Sequence, residues 1–555
     1  MKNIVLCADG TGNNDVKARG TNVFKLYEAI DRNGHKSDST ATPQVAFYDD
    51  GVGTSKFIPL RLLGGAIGWG FSQNVKDLYT ELARAYELGD RIYLFGFSRG
   101  AYTVRTLAGL IQCCGVLDVR DFDEKQVEDS VEDCWQEFRK VAFTRVENSD
   151  ARRSQGPKSL KPPMDETPKL ERNAQTGVSV YRNVKIEFLG VWDTVSAIGA
   201  PTVELRRLVN AIYPTTFSEL TVGPGVKKAC HAISIDDERL TFYPELWNEQ
   251  DGKDERVLQI WFPGVHSNVG GGYPKHGMSL VTLDWMMAEA KACGLRFLDN
   301  DRGYVRTHHD PHDKLYNSRA SLAVYYRWNP RSIVELCTKH KMAKPKIHIS
   351  VFERIANGTD GYAPGNIPYD CEIVSTRSDR SDNSGNPWPS PETIHTIKSM
   401  VLEGSPANPM TSPLEENDET VRSGKASYRT FLTATFLFFC LLPVSFRRVP
   451  FSFNDGNFQW DAPLWLLLLI SFALVGLFVL FWSSRVDARL NSAYSRRWNK
   501  HRARLRELLR TDKQASLSSD DTAGSSPYRE NGPAKLRESA VEPGIVEQAV
   551  ATPVS

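Results

Sequence analysis

Short apolar runs alternate with amphipathic stretches through the first 300 residues. The run at 3–8, NIVLCA, is β-branched and apolar and reads as a buried strand closed by DGTGNN. QVAFY at 44–48 reads as a second strand. Over 71–88, Val75, Leu78, Tyr79, Leu82, Ala85 and Tyr86 recur at helical spacing, and Gly89 ends the pattern. RIYLF at 91–95 predicts the next strand and 99–112 the next helix. VKIEFLGVW at 184–192 and RVLQIWF at 256–262 predict further strands, and 279–293 a helix. This rhythm predicts an α/β fold over 1–373: a mostly parallel sheet with helices on both faces.

The rhythm breaks twice. Residues 148–178 are polar, Pro-rich and aperiodic, and read as a surface insertion or lid. Residues 374–429 are rich in Ser, Pro, Asn and charge, and read as a linker. Two apolar blocks follow. The uncharged stretch 462–482 would cross a hydrocarbon core of about 30 Å at about 1.5 Å per residue. The first block, about 430–446, is shorter and holds Pro443, so it would span with tilt or thinning. Together, 430–482 predict a transmembrane hairpin. Arg422, Lys425 and Arg429 precede it; Arg485, Arg489, Arg496, Arg497 and Lys500 follow it; the connecting loop carries only Arg447 and Arg448. That bias puts both ends, and the catalytic domain, on the cytoplasmic side of an inner membrane. The alternative is a buried helix pair in a soluble domain. Residues 483–555 read as a basic juxtamembrane helix and a disordered tail.

Composition narrows the classes. Lys and Arg total 68 against 67 Asp and Glu, which argues against nucleic-acid binding. The nine cysteines are scattered without a C-x-x-C pair, so they suggest reduced thiols of a cytosolic domain rather than a zinc or redox site. HHDPHD at 308–313 lacks regular ligand spacing and reads as a solvated loop, so no metal and no cofactor is expected. The first apolar run is too short for a signal-peptide core of about 7–15 residues.

One motif carries chemistry. In GFSRG, Gly96 and Gly100 flank Ser98 between an apolar strand and a helix. A nucleophile elbow needs that context, because small residues let strand and helix approach around a strained serine. The alternative is an ordinary tight turn. A serine nucleophile needs a base, and the base an orienting acid, in chain order Ser, Asp or Glu, His for this architecture. Asp193 ends FLGVWD and His266 lies in WFPGVHSNVGGGY, each just past a strand. Asp193 would hold the imidazole; His266 would take the serine proton and return it to the leaving group. Asp193 could instead cap a turn, and Asp236 and Asp237 rival it as the acid. His231, in CHAISIDDER, reads as helical and as a core residue or one standing behind the site. The oxyanion hole would combine the Arg99 N–H with the backbone of Gly10, Thr11 and Gly12. The same loop could be a phosphate nest, but it lacks both G-x-G-x-x-G and a following Gly-Lys-Ser/Thr.

LCADGTGNN, YDDGVGT, YLFGFSRGAYTVRTLAG, LGVWDTV, CHAISIDDER, WFPGVHSNVGGGY and IHISVFERI follow one another in the order of an uncharacterised α/β-hydrolase domain family. Its best-understood members are the G-x-S-x-G lipase effectors of bacterial type VI secretion. The resemblance covers about 1–370. It implies a Ser-Asp-His phospholipase of the A type, with Ser98 as nucleophile, Asp193 as acid and His266 as base. The position after His266-Ser267 is often Asp in such relatives; here it is Asn268.

Three functions are therefore open. The first is a membrane-anchored serine esterase acting on phospholipid, or more generally a carboxylesterase or lipase. The second is a hydrolase fold without turnover that presents its insertions to a partner at the membrane. The third is a delivered effector. A phospholipid or acyl-ester substrate and the membrane are the expected partners; the sequence names no protein partner.

Overall fold

The computed structural model describes residues 1–10, 20–51, 65–147, 167–172, 178–196, 221–320, 325–377, 388–445, 451–452, 459–460 and 464–523. Thr11, Gly12 and most of the stretch read as a lid, 148–166 and 173–177, lie outside the described residues.

The apolar runs become an eight-stranded sheet. Its strands are β1 (Asn3–Ala8), β2 (Gln44–Asp49), β3 (Arg91–Phe97), β7 (Ile186–Trp192), β8 (Ala229–Ser234), β9 (Val257–Phe262), β10 (Lys346–His348) and β11 (Glu372–Val374). A small antiparallel sheet holds β4 (Val116–Leu117), β5 (Lys169–Arg172) and β6 (Ser179–Arg182). The main sheet runs β11-β10-β9-β8-β7-β3-β1-β2, and each neighbouring pair is parallel. The chain goes from β1 out to the β2 edge and returns on the other side of β1 as β3. The crevice at the carboxyl ends of β1 and β3 is thus the sheet's topological switch point, where open parallel sheets collect their chemistry.

Alternation along β1 divides the core. Ile4, Leu6 and Ala8 face α2 (Gly65–Ala85), α3 (Arg99–Cys114) and α4 (Glu124–Glu147); Val5 and Cys7 face α1 (Asn22–Ala29) and α6 (Gly277–Ala292). Between them, α5 (His266–Gly270) is a single short turn of helix after β9. A third cluster joins the far end of the sheet to α7 (Ile333–Lys339), α8 (Ile349–Asn357) and α9 (Pro391–Leu402).

The stretch read as a linker is largely ordered against this third cluster. Ser390 caps α9 through the Thr393 N–H, Pro391 fits the first helical turn, and Ile397, Met400 and Val401 are buried at i, i+3, i+4. Ser and Pro, read as signs of a linker, here start a helix.

Two further helices are long and apolar enough to cross a membrane: α10 (Asp418–Ser445) and α11 (Leu464–Ala523). They run antiparallel, with Trp482 Nε1 donating to Ser423 Oγ (2.9 Å) and Phe438 beside Phe472 at 4.5 Å. Exposed Phe436, Phe439, Leu474, Leu477 and Leu480 band the outside. The basic residues after the second block are not all a free juxtamembrane flank. Arg497 is buried and donates to the carbonyls of Ile367 (2.7 Å) and Val401 (3.1 Å). Arg502 and Arg506 reach the carbonyls of Ile355 and Ala356 at the end of α8, where cations complement the helix dipole. The last helix therefore returns to the sheet domain and adds Trp498, Leu505 and Leu509 to its third core cluster.

Candidate functional site

Ser98 follows β3 and precedes α3 with φ 59° and ψ −122°. Such a backbone costs an L-residue about 1–3 kcal/mol and persists only where packing enforces it. The enforcement is visible in the two glycines. A Cβ on Gly100 would stand 2.2 Å from the Ala8 carbonyl oxygen, and one on Gly96 2.5 Å from the Gly100 carbonyl oxygen. Only a bare backbone lets α3 press this closely on β1 and β3.

β7 ends one residue before Asp193, and β9 ends four residues before His266. The register aligns these ends with Ser98, since Phe97 pairs with Trp192 and Ser234 with Phe262. His266 Nε2 lies 2.9 Å from Ser98 Oγ, and His266 Nδ1 lies 2.6 Å from Asp193 Oδ2. An ionised Asp193 only accepts, so Nδ1 carries the proton and Nε2 is left to accept from the serine hydroxyl. Phe97 lies at 4.6 Å from the imidazole and Phe242 stands edge-on at 5.0 Å, which fixes the ring. Ser98 is only 8% exposed.

The rival acids lie elsewhere. Asp237 accepts the His266 backbone N–H (3.2 Å) and is forked by Arg239; Asp236 accepts from Gly264 N and the Tyr362 hydroxyl. His231 is not helical. It sits in β8, a central strand buried on both faces, and such strands lose the alternation that marks them in sequence. Its Nε2 accepts the Thr194 N–H at 3.1 Å, just past Asp193, and burial drives its pKa down to about 3, so it is a neutral strut. Asn268 Oδ1 bonds the Val265 and Tyr316 N–H groups and so holds the turn that presents His266.

Arg331 went unread in the sequence. It lies 138 residues beyond Asp193, fully buried, and forks it with Nη1 at 2.7 Å and Nη2 at 2.9 Å. It also donates to the carbonyls of Ser234 and Phe242. Asp193 accepts a further bond from Ser234 N at 3.0 Å. Burial would raise the Asp193 carboxyl, but Arg331 and His266 outweigh it and hold it well below the ordinary carboxylate range. Burial lowers His266, opposed by Asp193. No local motif marks an arginine in RWNPRS as the partner of a distant aspartate.

Asp9 was also missed. It lies beside the elbow, buried, and accepts from Thr21 Oγ1, the Tyr48 hydroxyl (2.7 Å) and Gly10 N (2.6 Å). Burial, against these bonds, raises it to about 6. Gly10 itself lies against the elbow, since a Cβ there would meet Ser98 Cβ at 3.1 Å. Its N–H is thus turned to Asp9 rather than to the space over Ser98. Arg99 is the first residue of α3, at the positive end of the helix dipole. In the 308–313 loop, His309 faces Asp284 at 3.5 Å, His312 faces Thr359, and Asp313 accepts the Gly277 N–H.

Fold and site define a class: an α/β protein in which a strained serine, a histidine and a buried carboxylate are hydrogen-bonded in series at the carboxyl edge of a parallel sheet. The sequence matches the model of the type VI secretion (T6SS) phospholipase effector Tle1-like catalytic domain over residues 2–289, just over half the chain. The chain belongs to that family, and membership supports a hydrolase of the phospholipase type. It is also 29% identical over 254 residues to an uncharacterized protein of Saccharomyces cerevisiae, covering 43% of this chain and 32% of the yeast protein. The chain thus spans about a third of that relative's length. A crystal structure of an uncharacterized protein from Pseudomonas aeruginosa aligns with 65% of this chain and 55% of its own, at 19% identity and a TM-score of 0.33.

Proposed function

We propose that the chain is a membrane-anchored, α/β-hydrolase-like serine esterase that cleaves acyl esters of glycerophospholipids. The observation that carries this reading is the bonded series Ser98–His266–Asp193 at the switch point of the sheet. Ser98 Oγ attacks the ester carbonyl carbon while His266 Nε2 takes its proton. The carbonyl oxygen becomes an oxyanion, received by the Arg99 N–H, since the Gly10 N–H expected beside it is already bonded to Asp9. Collapse breaks the C–O bond to glycerol, and His266 protonates the leaving alkoxide. Water, deprotonated by His266, then attacks the acyl-enzyme and releases the fatty acid, restoring Ser98. Asp193 stays ionised throughout and stabilises the imidazolium that forms in each half-reaction.

In this reading α10 and α11 form a transmembrane hairpin that holds the site against its substrate, with both ends on the cytoplasmic side of an inner membrane. Family membership favours a second reading of place: a delivered effector that inserts in a target cell. Fatty-acid release from mixed phospholipid vesicles by detergent-purified full-length protein tests the chemistry. Ser98→Ala should lower release by at least about a thousandfold. Equal release from both proteins would refute the assignment.

A further inference from the structure

A cavity of about 200 Å³ opens where α10 leaves the catalytic unit. Lys425, Tyr428 and Arg429 form one wall, and their i, i+3, i+4 spacing puts all three on one helix face. Arg327, Trp328 and Asn329 form the other, closed by Leu240. Among the described residues, three cations therefore line the cavity and no carboxylate does. Among the described residues Lys425 and Arg429 have no ion-pair or hydrogen-bond partner. The neighbouring acid, Glu238, faces Arg319 at 4.0 Å instead. A concave site with one sign of charge concentrates counter-ions.

Its position narrows the ligand. Leu240 belongs to the turn whose Phe242 ring stands against His266, so the cavity lies two residues along that turn from the ring beside the base. On the other side Arg429 lies two residues before Phe431, and the exposed Phe436 and Leu437 begin about 10 Å further along the helix. Trp482, bonded to Ser423, is level with the cavity on the antiparallel helix. Tryptophans and cations at the edge of an apolar band mark head-group depth.

We propose that this cavity binds the phosphate of a phospholipid head group at the bilayer surface, between the membrane and Ser98. The proposal rests on the membrane-hairpin reading above. Recognition is by charge: the Tyr428 hydroxyl is already bonded to the Tyr325 carbonyl, and Asn329 Nδ2 to the Tyr243 hydroxyl. That leaves Lys425 and Arg429 to meet phosphate oxygens with charge-assisted hydrogen bonds, with the Arg327 charge on the facing wall.

The test is a binding titration on full-length Ser98→Ala protein in detergent, followed by phosphorus NMR. The probes are water-soluble dihexanoyl phosphatidylglycerol and inorganic phosphate. The lipid should bind, and the added pair Lys425→Ala/Arg429→Ala should weaken it on the order of tenfold or more. The charge-preserving pair Lys425→Arg/Arg429→Lys should restore binding. Equal lipid affinity with the alanine pair would overturn the proposal. So would loss of binding by the charge-preserving pair, since packing rather than charge would then be responsible. Inorganic phosphate competing as well as the lipid would also overturn it, by making this a free-phosphate site. Because turnover is removed, a wild type that fails to hydrolyse lipid would sink the esterase reading and leave this measurement standing.

Discussion

Arg331→Met removes the two bonds from the guanidinium to Asp193 while keeping much of the side-chain volume. Asp193 is fully buried and Arg331 has no exposed side-chain surface, so no solvent replaces the lost cation. Breaking one partner out of a buried pair costs about 3–5 kcal/mol, because a charge is left uncompensated. With an unfolding entropy of about 2.1 cal/mol/K per residue over on the order of 400 residues, that is a fall in Tm of about 4–6 °C. The site should respond as well. Arg331 is the main influence holding the Asp193 carboxyl down. Without it Asp193 protonates at higher pH, and while still ionised it draws a proton onto His266 more strongly. Both effects move the acid limb of the pH–kcat/KM profile upward. In the wild type that limb should fall below the ordinary histidine value of 6.5, because burial lowers His266. Arg331→Lys, which keeps the charge but not the fork, should fall between the two in both readouts. The assays are a circular-dichroism melt and a pH–rate profile on a soluble acyl ester. An Arg331→Met protein with unchanged Tm and an unmoved acid limb would refute the reasoning.

Two other predictions rest on single contacts. Gly100→Ala forces a Cβ to 2.2 Å and 2.5 Å from the carbonyl oxygens of Ala8 and Asp9, which are backbone and cannot yield. It should destabilise the fold by more than about 3 kcal/mol, and a melt within a degree of wild type would contradict the close-packed elbow. Asp9 has its folded pKa raised from 3.8 to about 6, so its stabilising contribution is complete below pH 3.8 and is lost as pH rises through 6. Between pH 4 and 7 the stability of Asp9→Asn relative to wild type should therefore climb by up to about 3 kcal/mol. Parallel Tm–pH curves for the two proteins would count against a raised Asp9.

The sequence by itself determined what local pattern can determine. Apolar runs of strand length became β1, β2, β3, β7 and β9, since a parallel sheet covered on both faces needs continuous apolar segments. Gly96-Phe97-Ser98-Arg99-Gly100 announced a tight strand-to-helix turn because few other residues fit its contacts. Two apolar blocks foretold two long helices, since their length and lack of charge are written in composition. The tertiary structure decided what depends on distant neighbours. Among Asp193, Asp236 and Asp237, three nearby acids of one chemistry, strand register chose which one meets the imidazole. Helix and strand were confused at His231 because burial on both faces erases periodicity. Arg331 and Asp193 meet only through folding across 138 residues, and nothing local to either signals the other. Arg497 reads as a free basic flank until α11 is seen to return to the core, where it bonds the carbonyls of Ile367 and Val401, while Arg502 and Arg506 find theirs at the end of α8. Propensity and pattern act over a few residues; ion pairing in a core acts through space, and only the packed chain reveals it.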